Sequence, residues 1–213
     1  LDTFTLSCER RKEGKREMIK SVKLSFKVLV NVDPEDETPD LSEVWFNTTY
    51  TVYPDATVKV ENEFLPVYYH AEREMSVPRI GQLFKLKGAL ETVDWYGRGP
   101  WENYADRKTS ALVGRYRMLV KELAYAYVRP QENGYRTDVR ELTLSSPEGN
   151  GMKVTGLPFF CFNAQYAPKE NYEINGKPIR NTIDLKHEKD VFLNIDYGQM
   201  GVGGDNSWGN PVH

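Results

Sequence analysis

The 213 residues predict an all-β chain of antiparallel sandwich type. The first sign is alternation: Val22, Leu24, Phe26, Val28, Val30 and Val32 are interleaved with Lys23, Ser25, Lys27 and Asn31, the period-two pattern of a half-buried strand. The second is that β-branched and aromatic runs are short and divided by Gly, Pro, Asn and Asp. The third is that apolar residues nowhere keep helical spacing for long, and 120–128, the best helical candidate, is short and aromatic. No fixed-length repeat and no low-complexity linker divides the chain, so one domain over 1–213 is expected.

Taken in order, residues 9–20 mix acids with bases around Gly14, which predicts a solvated hairpin or loop rather than a nucleic-acid patch. The alternating strand of 22–32 follows. Residues 33–40 form an acidic turn with two prolines, whose missing donors exclude it from a ladder. Residues 43–54 and 57–67 read as neighbouring strands split by Pro54-Asp55. Further strands are expected at 82–87, 91–95, 110–118 and 135–144; in the last, Tyr135, Thr137 and Val139 alternate with Arg136, Asp138 and Arg140. The continuous aromatic run 159–164 predicts a strand buried on both faces. Residues 191–197 alternate again and lead into a glycine-dense run, 198–209, that carries Trp208. Glycine permits positive φ and close backbone approach, and an aromatic on such a polar loop suits a ligand pocket or a subunit contact.

Composition removes several functions. A net charge of −3 gives no basic face to displace counterions from phosphates, which argues against nucleic acid as a partner. No apolar run approaches the roughly 20 residues that span a bilayer. The opening residues lack the basic and apolar blocks of a signal peptide, and without an initial methionine they suit a fragment or a processed chain. Cys8 and Cys161 are expected to be two buried thiols rather than a disulfide framework. His70, His187 and His213 have no ligand spacing, so no metal is expected here. Asn47-Thr48-Thr49 matches a glycosylation sequon, a pattern short enough to arise by chance.

The richest polar segment runs from Trp95 to Lys108. Within it Arg98 or Arg107 is expected to pair with Glu102 or Asp106, locking the loop. Gly97-Arg98-Gly99 lacks the spacing and the following helix of a phosphate loop. In a second cluster, residues 130–136, Asn133-Gly134 signals a tight turn that Glu132 and Arg136 could brace. Glycoside hydrolysis needs two converging carboxyls; Glu102, Asp106, Glu132 and Asp205 lie in loops, but their spacing brings no two together. A Ser-His-Asp reading is weaker, for no Gly-x-Ser-x-Gly turn occurs.

These same residues resemble the hallmark of the C-terminal domain of glycoside hydrolase family 2 β-galactosidases. The match runs in order through Trp95-Tyr96-Gly97-Arg98-Gly99-Pro100, Glu102-Asn103-Tyr104, Asp106-Arg107, Tyr127-Val128, Pro130-Gln131-Glu132-Asn133-Gly134 and Arg136, and ends at Met200-Gly201 and Gly203-Gly204-Asp205-Asn206-Ser207-Trp208. The resemblance implies an antiparallel β-supersandwich, galactose mutarotase-like, truncated here at both ends. It implies that the acid/base and nucleophile glutamates, with magnesium, sit in a (β/α)₈ barrel earlier in the polypeptide, so that this chain carries no catalytic residue and no cofactor. The barrel domain and a β-galactoside become its partners, with a homo-oligomer in the full-length protein. Trp208 would cover the sugar's C–H face, flanked by Asp205 and Asn206. Arg98, Glu102, Asn103, Asp106, Arg107, Glu132, Asn133 and Arg136 would be scaffold. The expected activity is retaining hydrolysis of terminal β-D-galactosides such as lactose by the whole enzyme, in the bacterial cytoplasm or periplasm. The rivals are a free-standing carbohydrate-binding module, a mutarotase-like epimerase using a histidine such as His70 or His187, and a structural small subunit beside a separate catalytic chain.

Overall fold

The computed structural model describes residues 3–30, 44–66, 79–174 and 177–201. Contacts divide the chain into two compact units, Leu1–Met75 and Ser76–His213. The class is the all-β, antiparallel one that the strand pattern predicts: every strand pairing is antiparallel and the α1 helix is a single turn.

The first unit is a four-stranded meander. Its strands are β1 (Thr3–Glu13), β2 (Arg16–Val30), β3 (Val44–Val52) and β4 (Val58–Pro66), in that order across the sheet. The mixed-charge stretch is the tip of the β1–β2 hairpin, where Gly14 takes φ +64, a conformation that glycine adopts without cost. Its acids and bases pair across the strands in full solvent, as Lys20–Glu9 does at 2.6 Å, so they add little stability. Phe4, Phe26 and Tyr50 form an aromatic ladder across three strands, with centroids 5.5 and 6.1 Å apart. At Pro54-Asp55 the expected turn closes: Asp55 Oδ1 accepts from Thr57 N–H at 2.9 Å, and the Ala56 N–H donates to Tyr53 O at 3.1 Å. Two expectations fail on the cysteines' account. Both thiols are free, but Cys8 is exposed, because edge strand β1 has solvent around every residue. Cys161 is half-buried, and burial pushes its thiol up.

The second unit holds a six-stranded sheet. Its members are β5 (Arg79–Leu86), β6 (Thr92–Gly99), β7 (Leu112–Leu119), β8 (Arg136–Ser145), β9 (Gly151–Gln165) and β12 (Val191–Gln199), in the order β5-β12-β9-β8-β6-β7. The small ribbon β10 (Glu173–Ile174) and β11 (Lys177–Pro178) stands apart from that sheet. The helical candidate 120–128 is reduced to α1 (Val120–Leu123); the rest is irregular, with the Tyr127 N–H turned back to Tyr125 O at 3.0 Å. Val120 and Leu123 are buried in the core, which also takes Val93, Trp95, Leu142, Leu144, Phe162 and Leu193. The register puts Val93 beside Leu144 and Trp95 beside Leu142, so alternate residues of β6 and β8 fill one face. Each such side chain, fully buried, contributes roughly 1.5–3 kcal/mol. The aromatic run behaves as predicted from Phe162 to Ala164, a central stretch covered on both faces, while Cys161 is half-buried and Phe159 is left outside.

Candidate functional site

Between β6 and β7 the chain makes the motif-rich loop, closed on itself by paired backbone bonds between Tyr104 and Arg107 at 3.2 and 2.9 Å. Glu102 is its hub. One carboxylate oxygen accepts from Arg107 Nη2 at 3.1 Å and from the Tyr127 hydroxyl, and the other from the Gly134 N–H at 2.8 Å. One side chain thus ties its own loop to chain 25 and 32 positions further on. Asn103 is wholly buried and fully engaged: its oxygen accepts from the Thr137 N–H and hydroxyl at 2.9 and 2.6 Å, and its amide donates to Trp101 O at 3.0 Å. Asn133 repeats the device, accepting from Tyr125 N–H at 3.0 Å and donating to Gln131 O at 2.9 Å. The Tyr104 and Tyr135 rings stack on each other with centroids 5.4 Å apart, and burial pushes both phenols up.

The Arg107–Glu102 pair is one of those expected between Arg98 or Arg107 and Glu102 or Asp106, but two other pairings depart from expectation. Arg98 turns away from Glu102 and Asp106 and holds Asp138 at 2.5 Å, with Lys108 adding a second cation at 3.6 Å. Burial alone would raise the Asp138 carboxyl; the Arg98 hydrogen bond and the Lys108 charge outweigh it and hold the group below its ordinary range. Nor does Glu132 brace Arg136. The Arg136 guanidinium is buried and donates to three backbone carbonyls, those of Leu123 (3.1 Å), Gly134 (2.7 Å) and Pro100 (2.8 Å). It also lies 5.6 Å over the Trp95 ring. With no carboxylate in contact, burial pushes its pKa down to about 10. It serves as a nail through three turns of chain.

Glu132 belongs to a different cluster, with Arg79 and Asp196. Arg79 Nε meets Asp196 at 2.7 Å and its Nη1 meets Glu132 at 3.4 Å, while the Asn163 amide donates to Glu132 at 3.2 Å. Burial raises both carboxyls, against the pull of Arg79. For Arg79 itself burial opposes the charge, and the two carboxylates more than restore it. The cluster pins β12 at the end from which the glycine-rich run departs, since Gln199 pairs with Arg79 in the ladder. Just beyond, Gly201 takes φ +112, and a Cβ there would collide with the Asp106 carboxylate. Asp106 thus forms the wall against which the chain leaves the sheet. Residues 202–213, and with them Asp205, Asn206 and Trp208, lie outside the described residues, as does His70.

Arg79, Asp138, Asp196 and Asn163 were missed as site residues. Asp196 occupies a polar slot in an alternating strand, which predicts solvent; β12 is instead flanked by β5 and β9, and its outward-reading aspartate is buried. Of the four candidate acids, Glu102 accepts from three donor groups and Glu132 from two, and no contact among the described residues brings the two carboxyls together. Among the described residues no three His, Cys, Asp or Glu side chains are grouped to hold a metal, and no helix is long and apolar enough to cross a membrane.

The model of the beta galactosidase small chain family matches residues 3–213. The chain belongs to this family. The β-galactosidase of Priestia megaterium is 39% identical to this small chain over 165 residues, covering 78% of the chain and 15% of that protein. That of Halalkalibacterium halodurans is 35% identical over 166 residues, 77% of the chain and 16% of the relative. The β-galactosidase of Streptococcus thermophilus is 32% identical over 186 residues, 86% and 17% respectively. The small chain therefore spans only 15–17% of the length of these relatives.

Proposed function

We propose that the chain is the C-terminal domain of a retaining β-galactosidase that cleaves terminal β-D-galactosides such as lactose, and that it completes the substrate pocket without doing the chemistry. The reading places the catalytic glutamates and magnesium in the remainder of the enzyme, which is this chain's partner and which assembles as a homo-oligomer. The chain's own contribution is Trp208, whose indole covers the apolar C–H face of the sugar while Asp205 and Asn206 bind at its edge. The observation that carries the reading is the anchored exit of the loop: β12 is clamped by Arg79 and Asp196 at 2.7 Å, and Gly201 turns against Asp106 immediately before the run to Trp208. A loop that carries an aromatic to a pocket serves it best when its root is held, because ordering at the moment of binding costs affinity.

The test is complementation. Hydrolysis of a chromogenic β-galactoside is measured with this chain alone, with the catalytic portion alone, and with the two mixed. The chain alone should be silent, and mixing should restore activity that Trp208→Ala lowers by about tenfold or more, the scale of one lost contact near 1.4 kcal/mol in the transition state. Turnover by the isolated chain, or a mutant as active as the parent, would overturn the reading.

A further inference from the structure

We propose that the second unit carries a separate, non-catalytic site for a single pyranose ring, in the cavity beside α1. The cavity has a volume of about 220 Å³ and is lined by Tyr125, Tyr127, Gln165, Tyr166, Tyr172 and His187, among others. That is smaller than the roughly 300–1,000 Å³ of pockets for drug-sized molecules, so it suits one ring rather than an extended chain.

Two kinds of surface alternate around it. Tyr125 and Tyr127 stand 4.6 Å apart at 57°, presenting aromatic faces in two directions. Between such faces lie hydrogen-bonding groups at fixed positions. The Tyr172 hydroxyl donates to Gln165 Oε1 at 2.8 Å and accepts from Asn133 Nδ2 at 3.3 Å, which orients the Gln165 amide. Its Nε2, the Tyr166 hydroxyl and the His187 ring make no hydrogen bond among the described residues. Gln165 is largely buried, yet its amide nitrogen keeps contact with solvent and is open to an acceptor that enters the cavity. A pyranose matches this inventory: its C–H face lies on an aromatic ring without demanding hydrogen bonds, and its hydroxyls both donate and accept.

The walls are held in advance. Thr182 Oγ1 donates to Tyr127 O at 2.6 Å, and the Glu188 N–H donates to Tyr166 O at 2.8 Å. Preorganisation of this kind lowers the entropy lost on binding. Val128 and Ile183 stand beside the rim, 94% and 91% exposed. They would equally meet a docking peptide, but a recess of about 220 Å³ takes one ring and not an extended segment.

Only the choice of first probe rests on the proposed function; the site does not. The experiment is a titration of the isotope-labelled chain with methyl β-D-galactopyranoside, and with the β-glucopyranoside, followed by two-dimensional amide NMR. Saturable shifts are expected at Tyr125, Gln165 and His187. Tyr166→Phe and His187→Ala, neither of which empties the core, should weaken binding by about tenfold between them, as the loss of one or two hydrogen bonds predicts. Gln165→Ala should abolish it, with a melting scan to show that the variant folds. Shifts that grow linearly without saturation, or that ignore Tyr166→Phe and His187→Ala, overturn the site. So do shifts that vanish in Trp208→Ala, which would place the sugar at the glycine-rich run and leave the proposed function standing.

Discussion

At Gly201 the constraint is both conformational and steric. A φ of +112 is open to glycine and strained for any other residue, and the place of a Cβ is already filled by the Asp106 carboxylate. Gly201→Ala should therefore lower stability by about 1–3 kcal/mol, the scale of one strained backbone position. Urea unfolding of the single variant beside Gly201→Ala/Asp106→Ala checks the cause: clearing the carboxylate should restore part of the loss and never all of it, because the backbone strain remains. A single variant as stable as the parent would show that neither constraint holds. Arg136 shows the limit of reading single residues. Its place opposite Tyr135, Thr137 and Val139 in an alternating strand predicts a solvated face, but β8 is irregular there: its register with β9 shifts between Arg136 and Val139. That shift turns the guanidinium inward, to carbonyls contributed by Pro100, Leu123 and Gly134. No local pattern reports a partner that is another segment's backbone.

Strand β12 joins the buried ion cluster to the root of the glycine-rich run. Removing Arg79 would leave Asp196, with its side chain almost wholly buried, and Glu132 without their cation. Arg79→Ala should cost about 3 kcal/mol, the lower part of the range for a broken buried pair, since the arginine is itself a quarter exposed. The pH dependence follows from the direction of the carboxyl shifts. Both acids are raised by burial, so the folded state binds their protons more tightly than the unfolded chain. The stability this confers is complete below the ordinary carboxylate range and is lost as pH rises through the raised values. Without Arg79 burial acts unopposed, and the values rise further. The deficit of Arg79→Ala in chemical unfolding should thus be largest near about pH 8 and shrink toward about pH 5, where the carboxyls begin to protonate. A deficit constant over that window would mean that Arg79 acts by packing alone. The element was legible before its role was: the alternation of 191–197 located the strand, and nothing in it located the sheet neighbours that bury its aspartate.

On the scale of the whole molecule, the four-stranded unit offers an edge that nothing in its own sheet covers. All eleven residues of β1 are exposed, Phe4 at 54% and Leu6 at 65% among them. Charges protect its 9–13 half, but the 3–8 half carries Phe4 and Leu6, and an uncovered apolar edge of that kind is a template for another chain. The isolated small chain should self-associate through β1, seen as a mass in light scattering that rises with concentration, and Leu6→Lys should lower it. A monomer at every concentration would show that the edge is protected.

By itself the sequence determined the class, most strands to within a few residues, the Gly14 and Pro54-Asp55 turns, and the family, since long motifs in fixed order survive where single residues do not. These are local properties, written in periodicity and turn chemistry. The tertiary structure alone decided which charges meet. Arg98 chose Asp138 over Glu102, Glu132 chose Arg79 over Arg136, and Glu102 added Tyr127 and Gly134 to the expected Arg107. Such pairings join residues up to 117 positions apart, as Arg79 and Asp196 are. They depend on strand order and register, which the pattern of any one strand does not encode.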